Sequence, residues 1–134
     1  MRILLDTNLW VSALISASMR DRVERIIADD RLEILADPDL LAELEEVCSR
    51  PKFAQRLTPD YVAEFLQILR DRLSIVETHS QIQVCRDPND NYLLAICLDG
   101  QAEFLLTGDD DLLVLQQFEK TRILTITEFE QTLW

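Results

Sequence analysis

Short apolar runs alternate with longer amphipathic stretches along the whole chain. Residues 3–5, 32–36, 74–77, 104–107 and 122–126 are short and mainly apolar, and they predict buried strands. The stretches between them carry helical periodicity. Val23, Ile26 and Ile27 share one face over residues 20–29. Asp37-Pro38 combines a capping side chain with a proline suited to the first helical position, so it predicts a helix start. Leu40, Leu41, Leu44, Val47 and Cys48 form the inward stripe of that helix, and Pro51 marks its end. Thr58-Pro59 is a second start of the same kind, followed by a stripe of Tyr61, Val62, Phe65, Leu66, Leu69 and Leu73. Asp87-Pro88 is a third, and residues 93–98 beyond it are apolar all round, which predicts a helix buried on more than one side. Residues 8–15 and 110–117 predict two shorter helices. Gly108 predicts a sharp turn, and Thr127 with Glu130 predicts a capping box for the terminal helix.

Strands alternating with helices imply an α/β fold with a mainly parallel sheet covered on both faces. The 134 residues fit one domain, 1–134. Ligands of such folds bind outside the carboxyl ends of the strands, so the residues just after each apolar run carry the chemical interest.

Composition narrows that chemistry by exclusion. Two glycines, Gly100 and Gly108, rule out the Rossmann fingerprint and the P-loop. His79 is the single histidine and no nucleophile signature accompanies it, which argues against Ser-His-Asp or Cys-His catalysis and leaves a zinc site short of nitrogen ligands. Cys48, Cys85 and Cys97 lack C-x-x-C spacing and read as free thiols of a reduced cytosol. No apolar run is long enough for a membrane helix, and the first acid follows only three apolar residues, too few for a signal peptide. The expectation is a cytoplasmic protein with no membrane partner.

The net charge of −12 argues at first against nucleic acid, because phosphate binding calls for clustered cations. The location of the acids reverses that argument. Asp6 follows the first apolar run directly, and Asp109, with Asp110 and Asp111 behind it, follows the run at 104–107. Asp87 and Asp90 stand at the start of the buried helix, where Asp87 can cap and Asp90 can complement the dipole. Glu43 falls at the border of the apolar stripe of its helix, whereas Glu45 and Glu46 point further out. A carboxylate at a buried edge needs a partner. With no lysine nearby in sequence, a metal ion is a candidate partner. Acids gathered around a cation suit a hard ion such as Mg²⁺ or Mn²⁺.

Four blocks in order carry a family resemblance: Asp6-Thr7-Asn8 with Ser12-Ala13; Glu43-Leu44; Arg86-Asp87-Pro88-Asn89-Asp90-Asn91 leading to Leu94-Ala95; and Thr107-Gly108-Asp109 with Asp111-Leu112-Leu113. Together they resemble the PIN domain, and within it the bacterial and archaeal branch of VapC-like toxins from toxin–antitoxin systems. The resemblance implies a three-layer α/β/α sandwich and an Mg²⁺- or Mn²⁺-dependent ribonuclease with one or two ions. Carried over by position, it implies catalytic, metal-binding roles for Asp6, Glu43, Asp90 and Asp109. The family's helix-borne acid often stands where this chain has Asn91. Asp90 is therefore the expected carboxylate ligand, Asn91 an alternative neutral oxygen, and Asp111 an accessory acid. Thr7, Asn8 and Thr107 match positions that orient the site. The resemblance also implies an RNA substrate, an antitoxin protein partner and a homodimer.

Of the 11 Arg and 2 Lys, the groups Arg20, Arg22 and Arg25, or Arg50, Lys52 and Arg56, are candidates to line an RNA groove. Trp10 and Trp134 are candidates for an interface or for the core. Two other functions stay open. A phosphatase of the haloacid-dehalogenase type also places an Asp after its first strand, but wants a second Asp where this chain has Asn8. A catalytically weak PIN-like module that only binds RNA or protein is kept open by Asn91, and metal titration separates it from a nuclease.

Overall fold

Among the described residues, six strands form one sheet in the order β3-β2-β1-β4-β6-β5. The computed structural model describes residues 1–54 and 57–134. The strands are β1 (Arg2–Leu5), β2 (Glu33–Ala36), β3 (Leu73–Ile75), β4 (Phe104–Leu106), β5 (Gln117–Phe118) and β6 (Thr121–Leu124). Five run parallel and β5 pairs antiparallel with β6. The helices are α1 (Thr7–Ile15), α2 (Ala17–Ala28), α3 (Pro38–Cys48), α4 (Pro51–Ala54), α5 (Pro59–Arg72), α6 (Asn91–Gly100), α7 (Asp110–Leu113) and α8 (Ile126–Leu133). A 3₁₀ turn, Pro88–Asp90, leads into α6. The helices flank the sheet in the expected three-layer arrangement.

β1 is the central strand and is wholly apolar and buried beyond Arg2, as a strand covered on both faces must be. It pairs with β2 on one side and β4 on the other. The chain order therefore reverses between β1 and β4, the position where open parallel sheets form a crevice at their carboxyl ends. Ile3 and Leu5 stand level with Phe104 and Leu106, so the residues that follow, Asp6 and Thr107, emerge together.

Both Pro-initiated long helices are capped as their sequences predict, Asp37 accepting from Leu40 N at 2.7 Å and Thr58 from Tyr61 N at 3.1 Å. Over α6, Leu93 to Cys97 are buried, while Leu98 at its far end is exposed. Gly100 closes α6 tightly on the sheet: a Cβ there would lie 2.8 Å from Leu35 Cδ1.

Several expectations fail locally. Pro51 opens the short helix α4 rather than only ending α3. Helix 110–117 stops at Leu113, and Gln117 enters the antiparallel edge strand β5 instead. The turns flanking β5 take positive φ at Gln116 and Glu119, so no glycine signals them. Gly108 adopts no positive φ and has open space around it, so the turn there does not depend on glycine. The capping box is Thr125 with Glu128, because β6 ends two residues earlier than expected. Thr127 and Glu130 instead receive Arg22 from α2. Trp10 is 1% exposed and packs edge-on against Phe65, so it is core. Trp134 donates its indole N–H to Asp29 and lies under Arg25, which clasps the chain end to α2.

Candidate metal centre

The site is built around a buried threonine. Thr107 follows β4, is fully buried, and donates its hydroxyl to Asp6 Oδ2 at 2.7 Å. Thr107 Oγ1 in turn accepts the backbone N–H of Asp109 at 3.0 Å. One side chain thus ties the end of β1 to the turn after β4. Asp6 is 4% exposed, and its Oδ1 accepts from Asn8 N at 3.3 Å, so it caps α1 as well. Thr7 shares a 2.8 Å hydrogen bond with the Tyr92 hydroxyl on α6, which fixes α6 against the start of α1. Asn8 itself is exposed and acts on Asp6 through its backbone amide.

The acids after β4 and before α6 meet here. Asp109 accepts from Asp111 N at 2.9 Å, and Asp87 accepts from Asn89 N at 3.0 Å, each shaping the start of its own helical turn. Carboxylate oxygens of Asp87, Asp90 and Asp111 lie within 4.8 Å of one another. Asp90 also abuts Asp109, and its Oδ2 is buried with no hydrogen-bond partner among the described residues. Two ionised carboxylates are both acceptors, so Asp90 and Asp109 can hydrogen-bond only when one of them holds a proton. Burial, that contact, and the charges of Asp109, Asp87 and Asp6 push Asp90 up to about 7. Burial also raises Asp6 above the ordinary carboxylate value. The Thr107 and Asn8 hydrogen bonds oppose this rise and Asp109 adds to it. The same acids act on Cys85, whose thiol is held at about 11 by burial and by the charges of Asp90, Asp109, Asp111 and Asp87. All three cysteines are free.

An acid raised in this way predicts a pH signature. Between its ordinary value of 3.8 and about 7, Asp90 keeps a proton in the folded protein that the unfolded chain has released. Without divalent ions, stability should therefore fall as pH rises through that window. The net charge contributes a fall of the same sign, so the variant supplies the comparison. Asp90→Asn should flatten part of the decline in urea midpoint measured in EDTA from about pH 4.5 to 7.5. Parallel curves for the two proteins would contradict the prediction.

Glu43 is placed differently from its helical-wheel expectation. It is exposed, while Glu45 is half-buried and pairs with Arg70 of α5 at 3.0 Å. The neighbouring helix covers the Glu45 flank, which the stripe within α3 cannot reveal. The desolvation argument for Glu43 therefore does not hold. Its charge still reaches Tyr92, whose hydroxyl burial pushes up to about 12 with added repulsion from Glu43, Asp6 and Asp37. Asn91 has a different task from the one expected. Its Oδ1 accepts from Val84 N at 3.1 Å and Cys85 N at 3.0 Å, which occupies both lone pairs in pinning the preceding loop. The same loop is anchored by Asp99: burial opposes its ionisation, but bonds from Ser80 and His79 outweigh that and hold the carboxyl at about 2. The lone histidine is exposed and serves this anchor through its backbone.

The arginines expected to line a groove are mostly engaged elsewhere. Arg20 donates to the Ala13 and Leu14 carbonyls at the end of α1, Arg22 clasps Glu130, and Arg50 pairs with Glu46. Lys52 lies 5.1 Å from the Phe53 ring centroid, and Arg56 falls outside the described residues. Arg86 has the position those residues lack. Its Nη2 lies 2.9 Å from Asp111 Oδ1. Sequence alone assigns a role to neither Arg86 nor Tyr92. Adjacency to the Asp87 block was the available signal for both.

The described donors are all carboxylate oxygens, and one of them is buried without a partner. Such a set fits a hard divalent cation. A model of the PIN domain family matches residues 2–111, a span that runs from β1 through Asp111 and so includes each of these acids. The chain belongs to the PIN domain family. This PIN domain is similar to an uncharacterized protein of Methanocaldococcus jannaschii, at 26% identity over 121 residues, covering 89% of this chain and 77% of the relative. Its fold is similar to a chain of the crystal structure of VapBC2 from Rickettsia felis bound to a DNA fragment from their promoter. That match has a TM-score of 0.57 at 19% identity and covers 92% of this chain and 97% of the other. Among the described residues, no helix of this PIN domain is long and apolar enough to cross a membrane.

Proposed function

We propose that this PIN domain is a metal-dependent endoribonuclease, the toxin of a toxin–antitoxin pair. The observation that carries the reading is the buried, unpartnered Asp90 oxygen within a group of close carboxylates at the sheet's switch point. Burying a carboxylate among like charges without a cation costs free energy: burial first, then the contact with Asp109 and the neighbouring charges, raise Asp90. Family membership and the fold likeness to a VapBC chain support the toxin assignment and an antitoxin protein as partner.

Asp6, Asp90 and Asp109 are the residues that would hold Mg²⁺ or Mn²⁺, with Asp87 and Asp111 beside them and Glu43 contributing charge from α3. The bound ion supplies Lewis acidity and a more acidic water for phosphodiester hydrolysis. Thr107 keeps Asp6 and Asp109 oriented, and Thr7 with Tyr92 holds the α1 start against α6. Asn91 serves the loop, so its lack of a charge does not argue for a weakened site, and Asp90 is the acid of this helix start.

The test is cleavage of a labelled single-stranded RNA. Mn²⁺ or Mg²⁺ should support cleavage and raise the melting temperature, and EDTA should abolish both effects. Cleavage that persists in EDTA, or a melting curve unmoved by millimolar metal, would sink the reading.

A further inference from the structure

We propose that Arg86 receives a backbone phosphate of the RNA at the rim of the acidic centre, an inference that rests on the nuclease reading above. Arg86 directly precedes Asp87, and its Nη2 reaches Asp111 Oδ1 at 2.9 Å and the Asp110 carbonyl at 3.2 Å. The guanidinium therefore spans the two segments that supply the outer acids, the turn before α6 and the start of α7. It is the one described arginine whose ion pair is made to an acid of this centre. Both of its contacts use one nitrogen. The donors on Nε and Nη1 have no protein acceptor among the described residues, and the side chain is 58% exposed.

A phosphate approaching this centre meets repulsion from Asp87, Asp90, Asp109 and Asp111. A fixed guanidinium offsets that repulsion and offers a planar fork that matches phosphate oxygens. Asp111 already orients it, so little rearrangement accompanies binding. The charge balance gives the proposal opposite signs for two ligands. Removing Arg86 leaves the acids one charge more negative, so metal affinity should hold or rise while RNA affinity falls. A residue that merely clamped Asp111 in place would weaken both.

The experiment compares wild type, Arg86→Lys and Arg86→Gln. Mn²⁺ affinity is measured by calorimetry without RNA. Binding of a labelled single-stranded RNA is measured by anisotropy in Ca²⁺ from about 50 to 200 mM salt, and KM and kcat follow in Mn²⁺. For Arg86→Gln, the RNA Kd and KM should rise about tenfold, kcat should change less, and Mn²⁺ affinity should be equal or tighter. The slope of log affinity against log salt should become shallower by about 0.7, one phosphate contact on a single strand. Arg86→Lys should fall between the two. The proposal is overturned if Arg86→Gln binds RNA with wild-type affinity and slope, or if metal and RNA affinity drop together. A wild type that cleaves RNA while Arg86→Gln matches it removes the Arg86 role alone. A wild type that neither binds nor cleaves RNA removes the nuclease reading and this inference with it.

Discussion

Replacing Asp6 with Asn should lower metal-dependent RNA cleavage at least about a hundredfold while the protein stays folded. Outer hydrogen-bond partners of metal ligands already cost about ten- to a hundredfold when lost, and on the proposed function Asp6 would itself be a ligand. The fold should tolerate the change. Asn is itself a good N-cap, and its oxygen can still accept from Asn8 N or Thr107 Oγ1. The substitution also removes a buried charge that burial and Asp109 both disfavour. Stability in EDTA at pH 8 should therefore be unchanged or higher, and the stabilising effect of Mn²⁺ should shrink. Circular dichroism, urea unfolding and RNA cleavage on one preparation check all three points. Asp39→Asn, at an exposed acid in the first turn of α3, is the control for charge alone. An Asp6→Asn protein as active as wild type would remove Asp6 from the site.

Thr107→Val should be the most costly single-atom change near the site, about 2–4 kcal/mol at pH 8. Shape is kept, but Asp6 Oδ2 and the Asp109 N–H lose their shared partner in a fully buried position. The Thr107 bond lowers the Asp6 value, so its loss raises that value further. The sign follows from linkage. A carboxyl with a raised folded value destabilises the protein when ionised, so the deficit of the variant should shrink as pH falls through the Asp6 titration. Thr107→Ser keeps the hydroxyl and should recover most of the loss and most of the Mn²⁺ affinity. Urea midpoints for the three proteins in steps from pH 8 down to about pH 3, with Mn²⁺ titrations at pH 8, provide the check. A deficit that stays constant across that whole range would mean that the hydroxyl does not act through the Asp6 charge.

Much of the architecture is legible without coordinates because it rests on local rules. The Asp37-Pro38 and Thr58-Pro59 starts become capped helices. The apolar run at residues 3–5 becomes the central strand, since only a strand covered on both faces can be apolar at successive positions. The position of Asp6 and Asp109 just beyond apolar runs already locates the acids at strand ends, and the order of motifs points to the family. Where local rules compete, the sequence is ambiguous. Thr125-Glu128 and Thr127-Glu130 are both spaced as capping boxes, and only the length of β6 chooses between them. The hairpin at β5 uses Gln116 and Glu119 at positive φ, positions where glycine would have announced the turns.

The site's internal logic depends on contacts between distant segments. Thr107 and Asp6 are 101 residues apart, and Thr7 and Tyr92 are 85 apart. Asn91 has the residue type and position of a weakened ligand, yet two backbone amides claim its oxygen. Glu43 and Glu45 border the two edges of their helix stripe equally, yet α5 shelters Glu45 and leaves Glu43 in solvent. Arg86 is one arginine among 11 until the fold sets it against Asp111. Sequence periodicity records how each element buries its own face, because helix and strand geometry repeat within the element. The partner of a carboxylate, the solvent it loses and the proton it keeps are set by whichever elements the sheet order brings beside it, and those are decided only when the chain has packed.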